Sequence, residues 1–224
     1  MITQGRASEA KGHRLLSLGI GGVFLVALGV FAYLASVVDR FPGELSASLW
    51  VQSWRASWLD TVVKAISVIP LAMLPVLGVT VVVLYLKRWR KESLLIAATI
   101  VAGFVLMGVI KEVVARPRPS ADLVQVLLEA PGYSFPSGTT MGGVVVLGTL
   151  MVMLTILMKP GMARGLMQGA VVLVLLAIGF SRVYLGAHWL GDVIGGYAFG
   201  AALVTGAVWL WWTWIRMRAQ ARGS

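Results

Sequence analysis

The chain has 224 residues, 58% of them hydrophobic and only 12% charged, against roughly 25% charged in soluble domains. That balance excludes a soluble globular domain, and the absence of cysteine excludes disulfides, thiolate catalysis and Cys-ligated metals. The net charge of +10 fits either a nucleic-acid surface or the cytoplasmic flank of a membrane protein, so the placement of the charges has to decide.

Several apolar runs reach the ~20 residues needed to cross about 30 Å of hydrocarbon. They are too long for barrel strands and lack the alternation those strands show. The chain is therefore expected to be all-α, a polytopic membrane protein with six transmembrane helices and a short interfacial amphipathic helix. Residues 1–14 form a basic arm with Arg6, Lys11, His13 and Arg14. Residues 15–214 form one six-helix membrane domain, and 215–224 a basic tail. The first apolar run follows the polar arm and is long enough to span, so no cleaved signal peptide is expected.

Span one covers about 15–38, and Asp39-Arg40-Phe41-Pro42-Gly43 breaks the helix. Trp50, Trp54 and Trp58 recur every four residues, which predicts one interfacial helix over 44–60 with the indoles on one face. Span two runs over about 63–86, with Pro70 and Pro75 expected to kink it. After the basic turn Lys87-Arg88-Trp89-Arg90-Lys91, span three covers about 92–112. A polar connection over 113–137 is too long for a mere linker. Spans four, five and six follow at about 138–158, 165–183 and 188–214. Gly191, Gly195, Gly196 and Gly200 on span six suit close helix packing, within one bundle or between subunits.

With both termini on one side, that side carries twelve basic residues against Glu9 and Glu92, and the opposite side balances. The whole excess lies on one face, which the positive-inside rule puts in the cytoplasm. No nucleic-acid partner is needed to explain it.

Three polar clusters fall at span ends on the other side. Lys111 and Arg118 lie in Lys111-Glu112-Val113-Val114-Ala115-Arg116-Pro117-Arg118-Pro119; Ser134-Phe135-Pro136-Ser137-Gly138-Thr139 opens span four; Arg182, His188 and Asp192 lie between spans five and six. Together they read as an oxyanion site. Lys111, Arg118 and Arg182 are donors suited to phosphate oxygens, and Ser137 and Gly138 stand at a helix N-terminus that favours an anion. A helix beginning at His188 would put Asp192 one turn away on the same face, where it can fix the imidazole tautomer. A neutral His188 so held is a competent nucleophile towards phosphorus.

The spacings Lys-x6-Arg-Pro, Pro-Ser-Gly-x and Ser-Arg-x5-His-x3-Asp resemble the three-part signature of the type 2 phosphatidic acid phosphatases, over roughly residues 60–205. The resemblance implies six helices with the site at the outer membrane face, no metal and no cofactor. By resemblance Lys111, Arg118, Ser137, Gly138 and Arg182 bind phosphate, His188 becomes a phosphohistidine and Asp192 orients it. The family's second motif usually ends in a histidine that protonates the leaving group, whereas this chain has Thr139. His13, the other histidine, is expected on the cytoplasmic side.

Three explanations of Thr139 stay open: an engineered replacement, favoured because the rest of the signature is intact; a lineage acting on lipid diphosphates; or a protein that binds without cleaving. The expected function is hydrolysis of a lipid phosphate or diphosphate, of the phosphatidylglycerophosphate, phosphatidate or undecaprenyl diphosphate class. Alternatives are a lipid phosphotransferase and a non-catalytic lipid-phosphate sensor or transporter. The expected partners are that lipid and the bilayer, with no obligate protein. The expected location is a bacterial inner membrane, termini cytoplasmic and site facing outwards.

Overall fold

The computed structural model describes the backbone of residues 2–221 and the side chains of residues 19–214. The charges assigned to the arm and the tail therefore lie outside the described side chains. Eight helices run in order: α1 (Ile2–Val37), α2 (Glu44–Gln52), α3 (Ser57–Ser67), α4 (Ile69–Leu86), α5 (Arg90–Val114), α6 (Gly138–Leu157), α7 (Met162–Tyr184) and α8 (Leu190–Ala221). Six segments are long and apolar enough to cross a membrane, α3 and α4 together forming the second. Their outward faces carry side chains such as Val23, Leu25, Leu71, Val105 and Leu173 in the open. Exposed apolar surface on that scale calls for an apolar solvent.

The second span is divided, with Val68 as the joint between α3 and α4. Pro70 falls in the first turn of α4, where a missing N–H breaks no helical bond. The only internal helix proline on this span is Pro75. The helix expected over 44–60 is shorter than predicted: it ends at Gln52, and α3 already belongs to the second span. Trp50, Trp54 and Trp58 do not share one helix. Trp50 and Trp54 meet edge to face at 4.7 Å, and all three indoles are exposed. One near and one distant set of side-chain contacts make the break. The Ser53 hydroxyl donates to the Trp50 carbonyl, and Arg55 is held by Asp60 at 2.8 Å and by the Gln125 side chain. The Arg55–Asp60 contact also holds the Arg55 guanidinium above its ordinary pKa.

Helix α6 is the centre of the bundle, packed against α4, α5, α7 and α8. It is the most deeply buried of the six spans. Its tightest neighbour is α8, through the glycine row. A methyl group at residue 196 would stand 2.7 Å from the Ser137 carbonyl, and one at residue 200 would stand 2.7 Å from Val144 Cβ. The row is therefore used within the bundle. Gly196→Ala is expected to push α8 away from the start of α6 at a cost of about 1–3 kcal/mol. Thermal unfolding in detergent measures this, and an unchanged midpoint would mean the two helices are not so close.

Helices that alternate in direction bring the 115–137 connection, the start of α6, the 185–189 bend and the start of α8 to one end of the bundle. The three sequence motifs converge there.

Candidate active site

Helix α5 ends at Ala115, whose left-handed backbone (φ 50°) closes the helix on the Lys111 carbonyl. The chain then turns back over the bundle. Ser134 N–H donates to the Arg116 carbonyl at 2.8 Å, tying the two ends of the long connection together. The Phe135–Pro136 peptide is cis, and Ser137 N-caps α6.

His188 is buried, 3% exposed, and it does not lie on a helix. It sits in the bend between α7 and α8, because α8 starts only at Leu190. Asp192 stands in the first turn of α8, and its Oδ2 reaches back to accept the Trp189 N–H at 2.8 Å. That contact caps the helix in the manner of an N3 acid. The expected direct Asp192–His188 hydrogen bond is therefore replaced: Oδ2 and Nδ1 are 3.7 Å apart. The Ser134 hydroxyl stands between them, donating to Asp192 Oδ2 and lying 3.3 Å from His188 Nδ1. Its single proton is given to the carboxylate, so its oxygen accepts from Nδ1–H. On the other edge of the ring Arg118 Nη1 is 3.2 Å from Nε2. A guanidinium can only donate, so Nε2 carries the lone pair. One neutral tautomer satisfies both contacts. Burial pushes the His188 pKa down to about 4; Asp192 pulls it up, and Arg118 and Arg182 add to the lowering.

Arg118 is held by backbone: Nε donates to the Gly132 carbonyl at 2.9 Å, Nη1 to Ala187 at 2.7 Å and Nη2 to Pro131 at 3.1 Å. Burial pushes its pKa below the ordinary value, partly offset by Asp192. Lys111 donates to the carbonyls of Tyr133 and Ser134. Arg182 is buried, and its Nε has no partner among the described residues.

A cavity of about 410 Å³ joins these groups. Lys111, Arg118, Gly138, Thr139, Arg182 and His188 all line it, with an apolar wall from Leu71 and Leu74 of α4, Ile100, Phe104 and Met107 of α5, and Val145 and Val146 of α6. Ile100 lies eleven helical positions before Lys111, so the apolar part reaches roughly 16 Å down the span. Leu71 and Phe104 are also exposed on the outside of the bundle, so the cavity borders the lipid-facing surface.

Two sequence-predicted residues stand off this wall. Ser137 is fully buried, and its Oγ lies 3.0 Å from the Thr140 hydroxyl and 3.4 Å from the Thr140 N–H. Asp192 lies behind the imidazole. Three side chains without a predicted role complete the arrangement. Ser134 is one. The others are Arg116 and Glu44, both buried: Arg116 bonds Asp192 Oδ1 at 2.7 Å and Glu44 Oε2 at 2.6 Å. The repeated Arg-Pro of Arg116-Pro117-Arg118-Pro119 was the one signal that Arg116 lies near the site. Nothing local marked Glu44.

The family comparison matches residues 91–217 to the PAP2 superfamily, a stretch that contains all three motifs. Among curated relatives, phosphatidylglycerophosphatase B of Bacillus subtilis is 29% identical over 155 residues, covering 66% of this chain and 73% of the relative. An undecaprenyl-diphosphatase of Sulfolobus acidocaldarius is 33% identical over 126 residues, covering 55% of this chain and 57% of the relative. The fold resembles the crystal structure of a transmembrane PAP2-type phosphatidylglycerolphosphate phosphatase from Bacillus subtilis, with a TM-score of 0.69 and 24% identity over 83% of this chain and 94% of the other. It also resembles Aquifex aeolicus LpxE, with a TM-score of 0.58 and 21% identity over 76% of this chain and 98% of the other. The fold, the motif order and the family match agree, and the chain belongs to the PAP2 superfamily.

Proposed function

We propose that the protein hydrolyses a lipid phosphate or diphosphate through a phosphohistidine on His188, at the outer membrane face. The observation that carries this reading is the single cavity in which His188 meets Lys111, Arg118 and Arg182 beside an apolar wall. The cations neutralise the phosphoryl oxygens; the apolar wall takes the adjoining part of the lipid chain. The lipid reaches the site laterally, where the cavity borders the bilayer-facing surface.

In the first step the Nε2 lone pair attacks phosphorus, the N–P bond forms and the bond to the leaving oxygen breaks. Arg118 passes from Nε2 to a phosphoryl oxygen as this happens. The positive charge developing on the ring is met by Asp192 through Ser134. In the second step water attacks the phosphohistidine and releases inorganic phosphate with restoration of neutral His188. With threonine at 139 no imidazole stands beside the leaving oxygen, so the first step is limited by how readily that oxygen departs.

The test is phosphate release by the purified full-length protein across lipid monophosphates and diphosphates, with alkaline quenching of a phosphorus-labelled substrate to trap the acid-labile phosphohistidine. Appearance of label in a second lipid instead of free phosphate would make the protein a phosphotransferase. Binding of the panel with no release and no labelled protein would overturn the enzymatic reading.

The pH profile has a defined sign. The nucleophile is the neutral imidazole, and its pKa is depressed from about 6.5 to about 4. The reactive form therefore persists as pH falls through 6.5 and is lost only near pH 4. kcat/KM, which reports the free enzyme, is expected to keep its His188 limb near pH 4 after correction for titration of the substrate. A limb at 6.5 would mean that the imidazole is solvated.

A further inference from the structure

Arg116 is among the most deeply buried side chains of the protein, 1% exposed, and it serves two carboxylates from different helices. Nη1 donates to Asp192 Oδ1 at 2.7 Å and lies 3.3 Å from Glu44 Oε1; Nη2 donates to Glu44 Oε2 at 2.6 Å. The ring of Phe41 covers the guanidinium at 4.6 Å. Arg116 Nε is left without a partner among the described residues, so the fork is aimed at the two acids at the expense of its third edge. Glu44 is equally occupied, accepting the Phe41 N–H at 2.6 Å and the Gly191 N–H at 2.8 Å. The fit depends on residue 191 having no side chain, since a methyl group there would stand 2.6 Å from Glu44 Oε1 and 2.9 Å from Phe41.

Buried ion pairs are a poor way to gain stability, because apolar residues of similar volume usually do as well. Three charges sealed together, one of them on the aspartate behind His188, call for another role. Oδ1 of Asp192 is fixed by Arg116, and this leaves Oδ2 for the Ser134 hydroxyl and the Trp189 N–H. A carboxylate free to rotate could turn Oδ1 to the imidazole and draw a proton onto it. Clamped, it faces Ser134, and its field at the ring is opposed by the guanidinium on its far side. Arg118 and Arg182 face the ring from the cavity side, with no acid among the cavity-lining residues.

We propose that Arg116 and Glu44 are positioning residues for His188, a charge relay from α2 through Arg116, Asp192 and Ser134 that holds the imidazole as the Nδ1–H tautomer with Nε2 free to attack. The proposal rests on the reading of His188 as nucleophile. Arg116 sets the orientation of Asp192. Glu44 holds Arg116 in place and balances its charge.

The test uses full-length protein with Arg116→Gln, Arg116→Lys and Glu44→Gln, and two readouts. The first is steady-state phosphate release from a lipid diphosphate. Arg116→Gln and Glu44→Gln are expected to lower kcat by about 10²-fold, with KM within about threefold and Arg116→Lys intermediate. The second is the imidazole ¹⁵N spectrum, which is simple because the chain has two histidines and His188→Asn assigns the second. The wild-type signature of one Nδ1–H tautomer is expected to become an exchange average in Arg116→Gln and Glu44→Gln. A lower unfolding temperature with the ¹⁵N signature and kcat per folded molecule unchanged would overturn the proposal and leave the cluster a structural one. If Arg116→Gln does not fold, Glu44→Gln and Arg116→Lys decide by the same two measurements. The spectrum needs no turnover, so wild-type protein inactive on every lipid would overturn the proposed function while the tautomer comparison still tests the relay.

Discussion

Replacing His188 by alanine is expected to reduce phosphate release by ~10⁴-fold or more, to the level of water attack on a bound lipid phosphate. The size follows from what else lines the cavity. Thr139 and Ser67 offer hydroxyls and Lys111 an amine, but no second imidazole is present to take a proton from any of them. The other histidine of the chain, His13, lies outside the described side chains. Substrate binding should survive, because Lys111, Arg118 and Arg182 are untouched and removal of the ring frees the Arg118 donor now shared with Nε2. KM is thus expected to stay near its wild-type value while kcat collapses. Steady-state assays in detergent micelles measure both, and the alkaline-quench label on the protein should vanish with kcat. Turnover undiminished by the substitution would sink the phosphohistidine mechanism outright.

The second large effect is expected from Thr139→His. Residue 139 occupies the first turn of α6, half-buried and on the cavity wall. An imidazole there shares the cavity wall with Lys111, Arg118 and Arg182, and in its protonated form it can hand a proton to the leaving oxygen. For a lipid phosphate monoester, whose alkoxide leaves poorly, the gain in kcat is expected to be about 10²–10⁴-fold. For a lipid diphosphate the leaving group is itself a phosphate with a second pKa of about 6, and the gain should stay within roughly tenfold of wild type by the same Brønsted argument. The readout is the ratio of the two gains in one preparation. Equal gains on both substrates would mean that residue 139 does not face the leaving oxygen. Lipid binding without turnover on either substrate would favour a sensor over an enzyme.

The transmembrane plan was legible in the sequence because apolar runs of spanning length have few other uses, and six of them fix which ends meet. That is why Lys111, Arg118, Thr139, Arg182 and His188, scattered over 111–188, line one cavity. Local detail was less accessible. The tryptophans at 50, 54 and 58 keep a helical spacing whether or not the helix continues, and the break at 53–56 is made by Arg55 bonding Asp60 and Gln125, the latter seventy residues away. A sequence reading that gives Asp192 to His188 alone starts span six at residue 188, two residues before α8 begins. In the structure its Oδ2 also caps the helix, which leaves His188 outside it and brings in Ser134. Arg116 and Arg118 stand in identical Arg-Pro pairs. Only the tertiary fold turns one into the protein interior and the other to the cavity. Glu44, separated from Arg116 by 72 positions, has no local signal at all.

The backbone cradle around Arg118 bears on affinity. Three carbonyls, of Pro131, Gly132 and Ala187, already accept from this guanidinium, so it is not a bare positive charge awaiting a counter-ion. An arriving phosphate exchanges neutral acceptors for charged ones and gains only the difference between the two sets of bonds. A lipid adds to that difference the burial of its chain along α4 and α5. Inorganic phosphate has no chain to add. Under the proposed function, the carbonyls that position the arginine would also compete with released phosphate for its donors, which favours emptying of the site after each turnover.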